Sequence, residues 1–450
     1  MKLALGITIL LVALTAPAER INQEGRILGS LLAVTNSVLF NTAQADAVVS
    51  SMQIYPLDNP WNEDISRALL LSNSTAMMSQ VTNDLATNRQ SLRLFFEMNY
   101  VLVPTNQPNV AIAFFNYPSE SDPAPYPIPT NMPVELWPNS SPTTNLVTWQ
   151  MDTDNVGGDR HSIIAMPGSN LVWETWLTKL TNGNWRASNG AKFDSGGNGL
   201  RAAGWTSGDA AGLPMFPALI RYDECERGMV EHAMRLVVKR TRAEYIYPAR
   251  HYASVPFSTD PNVPAMGQRL RLKSTFQIQT NWTTEEKAVL LGLKKYGAFV
   301  ADNGGFFSIS VTPDDRWPGN CFSHMPTLSI TNFEVIQTTA QNGGPRSPDS
   351  PVVNAGPDAT APMSVPWTSQ GFVTTFTNLP VTNTWKFYSG PGNVTFDKPR
   401  FPVAKQGDMI TATATFDAPG DYLLRVQAND QSGEGGGGFQ CCWTNTYVKV

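Results

Sequence analysis

Charge is scarce in this 450-residue chain: Asp, Glu, Lys and Arg make up 15% of it, against roughly a quarter in ordinary soluble domains. With 32 basic and 37 acidic residues the net charge is −5, and like charges never gather in long runs. A phosphate-backbone ligand is therefore disfavoured, and we expect no nucleic-acid partner. Cysteine is rarer still. Cys225, Cys321, Cys441 and Cys442 allow three pairings, none shows C-x-x-C spacing, and adjacent Cys441 and Cys442 join only through a strained ring. The four histidines, His161, His232, His251 and His324, make no H-E-x-x-H or H-x-H spacing, so the expectation is no metal and no cofactor. The sequence also lacks a phosphate-binding glycine loop, a dinucleotide fingerprint and a G-x-S-x-G elbow, which disfavours nucleotide chemistry and an α/β-hydrolase. Beyond the N-terminus no stretch approaches 18 apolar residues, so no stable membrane span is expected in the mature chain.

What is abundant points to β structure. The chain is 42% hydrophobic with 34 Gly, 34 Pro and 12 Trp, a mixture that suits short strands joined by many turns, and its length suits more than one domain. Met1-Lys2, the apolar run Leu3 to Leu14 and Ala16-Pro17-Ala18 before Glu19 read as a cleavable export signal. A second copy follows: Arg26, the run Ile27 to Phe40, then Ala43-Gln44-Ala45 before Asp46. Residues 1–45 are thus expected to be an export region, and the protein secreted, periplasmic or at the cell surface. The main domain is expected at 46–337, a linker at 338–351 (TTAQNGGPRSPDSP) and a further domain at 352–450.

Over the last 100 residues, period-2 runs such as Phe372 to Phe376 and Ile410 to Phe416 predict a β-sandwich. Val353-Asn354-Ala355-Gly356-Pro357-Asp358, Trp385, Ser389 to Phe396, Ala414 to Tyr422 and Val426 to Asp430 stand in an order that resembles the bacterial PKD/Ig-like module. The resemblance implies a spacer or adhesion element in an extracellular protein and no catalysis. Gly433 to Gly438 followed by Cys441-Cys442 departs from that pattern.

The main domain is expected to be large, antiparallel and β-rich with a few helices. Ser74 to Leu85 predicts one helix. Thr284 to Tyr296 predicts another, opened by a Thr283/Glu286 capping box and closed by Gly297. Residues 159–316, through Asp159-Arg160-His161, Trp205 to Pro214 and Ala301-Asp302-Asn303-Gly304, are similar to secreted bacterial proteins of no established activity.

Chemistry is sought where polar residues interrupt this pattern. Arg160 to Met166 and Leu171 to Trp176 flank the turn signal Pro167-Gly168-Ser169-Asn170. Pairing Met166 with Leu171 sets Ile163 opposite Glu174 and His161 opposite Trp176 on one sheet face. That predicts a sugar site, with an indole for the ring face and an imidazole and a carboxylate for hydroxyls and protons; in the alternative, Trp176 is core and Glu174 pairs with an arginine. The long polar segment Phe193 to Pro217 adds Arg201, Trp205 and Asp209, the last readable also as a turn residue. His251 lies in a loop-like setting, whereas His232 alternates with Met234, Leu236 and Val238 like a buried residue. Asp302 reads first as a turn residue, but two carboxyls a few ångströms apart meet the demand of glycoside hydrolysis. The candidate catalytic set is therefore Glu174, Asp209 and Asp302, with His161, Trp176, Arg201, Trp205 and His251 as substrate-binding residues. Arg269, Arg271 and Lys273 alternate as a solvated basic face or an anion-binding strip. The leading expectation is an exported protein that binds and cleaves an extracellular polysaccharide or cell-surface glycan. The rivals are a non-catalytic adhesion protein and a metal-dependent hydrolase using His161, His232 or His251.

Overall fold

The computed structural model describes residues 20–337 and 352–450, apart from 25, 58, 67, 140–144, 154–157, 254–257, 364, 375–380, 404–406 and 430–442. The leader at 1–19, the linker at 338–351, the Gly433 to Gly438 run and Cys441-Cys442 lie outside these residues. The chain is β-rich with a few short helices.

The main domain holds two large sheets beside a three-stranded one (Ile112–Phe114, Asn184–Ala187, Lys179–Thr181) and a two-stranded one. The five-stranded sheet runs, edge to edge, Asn189–Asp194, Leu171–Trp176, Ser162–Met166, Val101–Leu102 and Val38–Leu39. The six-stranded sheet runs Phe333–Val335, Arg269–Leu272, Ala298–Asn303, Met234–Val238, Phe307–Val311 and Leu92–Phe96. Hairpin neighbours pair antiparallel, but Val101–Leu102 with Ser162–Met166, Met234–Val238 with Ala298–Asn303, and Leu92–Phe96 with Phe307–Val311 are parallel. The sheets are therefore mixed, because strands far apart in sequence meet at these positions.

The hairpin carries the expected register, Met166 opposite Leu171 and Ile163 opposite Glu174. Asn170 closes its turn in the left-handed region at φ 57°, a conformation Asn tolerates better than most residues. Both faces of this sheet are covered. Ile163, Val172 and Phe193 pack against the helix Ala43–Ser50 and Phe216 on one side, and Ile164, Trp173 and Trp185 pack with Tyr126 on the other. Glu174 therefore points into a packed interior.

The helix Thr284–Lys295 shows the Thr283/Glu286 capping box in full, and Gly297 at φ +67° ends it where an added Cβ would strike the Leu270 carbonyl. Its Ala288, Val289 and Leu293 join the largest core with Met77, Met78 and Val81 of the helix Ser74–Asn83. Cys225 and Cys321 are buried in the same core as free thiols.

Folded structure also reaches upstream of the expected boundary at residue 46. Thr42 caps the helix Ala43–Ser50, Phe40 is 1% and Ala45 0% exposed, and Arg26 pairs with Glu231 at 2.8 Å. Within the second export-like run Leu28, Val38 and Phe40 are buried in this domain, whereas Ile27, Leu31 and Leu32 are exposed.

Residues 352–450 form antiparallel sheets around one apolar core. Trp385 is its centre, 2% exposed, with its indole N–H donating to the Ile410 carbonyl at 3.2 Å and its ring beside Trp367 and Phe396. Outward-facing Arg425, on the strand Leu423–Asn429, reaches Glu63 of the main domain at 3.1 Å.

The Arg269–Leu272 strand corrects the expected solvated basic face. Arg269 is 1% and Arg271 8% exposed. Their guanidiniums donate to the carbonyls of Tyr296, Glu63 and Ile65 and pair with Glu63 and Glu334. The segment around Glu63 to Ile65 covers this face, so it offers no anion-binding strip.

Candidate functional site

Beside the six-stranded sheet the interior is ionic. Arg235 interrupts the apolar strand Met234–Val238, with 4% of its side chain exposed. Its Nε donates to Asp209 Oδ1 at 2.7 Å and its Nη1 to Ser310 Oγ at 2.9 Å. Nη2 lies 3.6 Å from Asp302 Oδ2, and Nη1 3.8 Å from Glu97 Oε1. Three carboxyls thus surround one guanidinium, supplied by a loop and two strand ends. A bulge beside Val237 places Asp302 in register with it, on the side where Arg235 also emerges. Burial alone would weaken the guanidinium's hold on its proton, but Asp209, Asp302 and Glu97 together raise its pKa.

His161 closes the other side. Arg160, at φ 49°, bends the chain out of the hairpin, so His161 precedes the strand Ser162–Met166 instead of pairing across it with Trp176. Its Nδ1 meets Glu135 Oε2 at 2.8 Å and its Nε2 the Gly208 carbonyl at 2.9 Å. Two acceptors on one ring suit the imidazolium. Desolvation opposes that charge, but Glu135 outweighs it and raises the pKa to about 9. In turn His161 holds the Glu135 carboxyl below its ordinary value in spite of burial. Gly208 packs closely under Met215, where an added Cβ would overlap that side chain.

The carboxyls divide by exposure. Glu174 is 0% exposed, and both oxygens accept backbone N–H groups, Oε1 from Met215 and Phe216 and Oε2 from Met215, at 2.8 to 3.0 Å. Desolvation nevertheless raises its pKa to about 7. Asp209, 1% exposed, is held by Arg235. These two anchor the loop and the guanidinium and face no solvent. Asp302 and Glu97 keep 24% and 19% of their side chains exposed. Burial, with the charge of Asp209 for the first and of Glu135 for the second, raises each to about 7, while Arg235 limits the rise.

The aromatic and basic candidates gather separately. Trp176, half-buried, stacks on Tyr117 at 6.3 Å and 28°. Arg201 pairs with Asp122, donates to the Glu120 carbonyl at 2.8 Å and lies 5.6 Å from the Trp205 ring. His251 bonds through Nδ1 to the Ala210 carbonyl at 2.6 Å, has Nε2 3.8 Å from Glu120 Oε2, and stacks on Tyr252. The short turn Pro118–Glu120 thus ties Arg201 and His251 together. His232 is buried between Glu224 and the Ala233 carbonyl, a satisfied interior histidine.

The structure therefore brings His161, Glu174, Asp209 and Asp302 to one centre, and Arg201, Trp205 and His251 to another. Glu97, Glu135, Arg235 and Ser310 complete the first and were missed. A usable signal existed for two of them: Arg235 and Glu97 are lone charges inside apolar runs, Met234 to Val238 and Leu94 to Met98, which a soluble protein rarely buries without partners. Among the described residues no group of three or more His, Cys, Asp or Glu side chains is placed to hold a metal ion, and no helix is long and apolar enough to cross a membrane. Comparison with protein-family models, with curated proteins and with solved structures finds no match to this chain.

Proposed function

We propose that the main domain binds and hydrolyses an extracellular polysaccharide, with Asp302 and Glu97 as the working carboxyl pair. The observation that carries this reading is that the two partly open carboxyls lie within 4 Å of one buried guanidinium; burial and neighbouring carboxylates push both up to about 7. Both being within reach of Arg235, they are separated by about 10 Å or less, compatible with the spacing used by glycoside hydrolysis. Near neutral pH one member can stand protonated while the other is ionised: the acid donates its proton to the glycosidic oxygen as the C–O bond breaks, and the carboxylate accepts a proton from the water that attacks the sugar carbon. Arg235 keeps the ionised member charged, while Asp209 and the His161–Glu135 pair hold Arg235 and the loop in place. Trp176, Trp205 and His251 are the residues we assign to sugar contact. The C-terminal module is proposed as a PKD-like spacer or adhesion element of an exported chain.

The test is to incubate the full chain, Glu97→Gln and Asp302→Asn with soluble and insoluble polysaccharides, scoring bound protein and released oligosaccharide together. Release by the wild type, with binding kept and release lost in both variants, is the expected result. Binding with no release by the wild type would make the domain a lectin-like module and the ionic centre a scaffold. Retention by no polysaccharide would favour an adhesion protein.

A further inference from the structure

Two stretches of this sequence read as export leaders, and each ends in a small-x-small pattern that a leader peptidase accepts, Ala16-Pro17-Ala18 and Ala43-Gln44-Ala45. The fold separates them. The described residues from Arg20 to Leu28 form a strap across the main domain. Arg20 and Ile21 pair antiparallel with Leu28 and Ile27. From the bend between them, the buried Asn22 donates its side-chain amide to Glu231 at 2.6 Å, and the buried Gln23 donates to the Glu231 carbonyl. Arg26 pairs with the same Glu231 carboxylate and donates to the Ser50 carbonyl at 2.8 Å. Arg20 donates to the Ser51 carbonyl at 2.9 Å, and Glu24 meets Lys295 at 2.7 Å and the Tyr296 hydroxyl. The strap thus ties the C-terminal ends of the helices Ala43–Ser50 and Thr284–Lys295 to the segment leading into the Met234–Val238 strand.

A cut after Ala45 would remove this strap, the edge strand Val38–Leu39 that pairs with Val101–Leu102, and the Thr42 cap of the helix Ala43–Ser50. It would leave the buried Glu231 without its cation, a loss that destabilises strongly. Ala45 itself is fully buried in the first turn of that helix. A cut after Ala18 touches none of these contacts. The apolar runs differ too. Leu3 to Leu14 is interrupted only by Gly6 and Thr8, whereas Ile27 to Phe40 contains Gly29, Ser30, Thr35, Asn36 and Ser37, so the first is the better leader core.

We propose that the exported chain is processed at the Ala18–Glu19 peptide bond and that the mature protein begins with the Arg20–Leu28 strap. A leader peptidase of the exporting membrane hydrolyses that amide: water adds across the C–N bond, Ala18 leaves as the carboxylate of the leader, and Glu19 keeps the nitrogen as a new α-ammonium. The second small-residue pattern is a folding element, with its apolar residues Leu28, Val38 and Phe40 spent on the core. The inference rests on the export reading and is independent of the carboxyl pair.

The experiment expresses the full chain with a C-terminal tag in an exporting bacterium, recovers it from outside the cytoplasm and from the cells, and reads its first residues by mass spectrometry of the N-terminal peptide. Wild type, Ala18→Leu, Ala43→Leu and Arg26→Gln are compared. Exported wild type beginning at Glu19 is the expected result. Ala18→Leu, which puts a bulky side chain where the peptidase needs a small one, is expected to lose the Glu19 form and accumulate precursor. Ala43→Leu, at an exposed position of the second pattern, is expected to begin at Glu19 like the wild type. Arg26→Gln, which alters neither pattern, is expected to be cut at the same bond and to melt at a lower temperature. Exported wild type beginning at Asp46, or a Glu19 form lost in Ala43→Leu and kept in Ala18→Leu, overturns the site while leaving export standing. Wild type found only inside the cells and beginning at Met1 overturns both the cut and the export reading. An unchanged melt in Arg26→Gln overturns the strap's place in the mature fold.

Discussion

Arg235 and Arg269 lie on neighbours of the same strand, both in register with Phe299 from opposite sides, and both are almost fully buried. Their electrostatics are opposite. Arg235 is surrounded by Asp209, Asp302 and Glu97, which raise its pKa against the cost of burial. Arg269 donates mainly to carbonyls, has Glu63 at 3.6 Å, and shares that carboxylate with Arg425, so burial and a like charge lower it to about 10. Trp61, packed edge-on against Phe299 at 4.9 Å, stands where the two environments meet. Surplus carboxylate gives groups that hold protons near neutrality, which is the raw material of acid–base chemistry; surplus guanidinium bonded to carbonyls gives a fastening between chain segments. Burial of an arginine is thus uninformative until its partners are counted.

Removing each arginine sharpens that contrast most. Arg235→Met strands Asp209 in the interior and takes the counter-charge from Asp302 and Glu97. The expected destabilisation is about 3–5 kcal/mol, the range for breaking a buried ion pair from one side. Arg269→Met leaves carbonyls without donors while Glu63 keeps Arg425, and about 1–3 kcal/mol is expected. Chemical denaturation of the full chain measures both; equal losses would mean that the carboxylates around Arg235 add nothing to its hold.

Next comes the effect on turnover. Asp302→Asn and Glu97→Gln are each expected to lower oligosaccharide release about 100-fold or more, within the usual span for a lost acid–base group. Glu63→Gln, on the Arg269 side, should leave release per folded molecule unchanged. A release defect in Glu63→Gln that persists when release is counted per folded molecule would break the division of the sheet into a chemical and a structural side.

The same division predicts how stability follows pH. Glu97, Asp302 and Glu174 are raised to about 7, so the folded chain keeps protons that the unfolded chain has released, and stability falls as pH climbs from the ordinary carboxylate range through 7. His161, raised to about 9, contributes stability that is complete below its ordinary value and lost as pH rises through 9. Glu224 acts oppositely: Arg221 and His232 overcome desolvation and hold it at about 2, and its contribution is lost as pH falls toward that value. Melting temperature should therefore peak in the mildly acidic range and decline toward pH 9, and Glu174→Gln should flatten the limb around 7. A melting temperature that rises steadily from pH 5 to 9 would contradict these assignments.

How much of this was readable beforehand depends on how local the cause is. The hairpin register near its turn, the capped helix and the alternating C-terminal strands were legible because turn chemistry, capping and period-2 alternation act over a few residues. The parallel strand pairs were not, since they join segments such as Leu92–Phe96 and Phe307–Val311 that only the whole fold brings together. The site divided in the same way. His161, Glu174, Asp209 and Asp302 stood out as polar residues in turn-rich or hairpin contexts and do converge. Their roles did not follow from type, because Glu174 is spent on two backbone N–H groups whereas Glu97, passed over as a lone charge in an apolar run, keeps an open side. The expected solvated face of Arg269 and Arg271 failed for a related reason: alternation identifies a shared face, and only tertiary packing decides whether water or the Glu63 segment covers it.

The smallest shift expected, in Arg425→Met, belongs to the triad that links the two folded regions. Glu63 is the shared carboxylate for Arg269 and Arg425, both 1% exposed. Glu63→Gln replaces the carboxylate that both guanidiniums face with a neutral amide, and about 1–2 kcal/mol of destabilisation is expected from the weakened hydrogen bonds to charged groups. Arg425→Met removes one favourable contact but also the like charge that lowers Arg269, and its side chain can be replaced by one of similar volume. These terms oppose each other, so a change of about 1 kcal/mol or less is expected. Calorimetry of Glu63→Gln, Arg425→Met and the double variant in the full chain separates the cases. If the triad is limited by carboxylate, as the Arg235 centre is limited by guanidinium, the double variant will be more stable than Glu63→Gln alone, because removing Arg425 then relieves the repulsion that the lost carboxylate exposed.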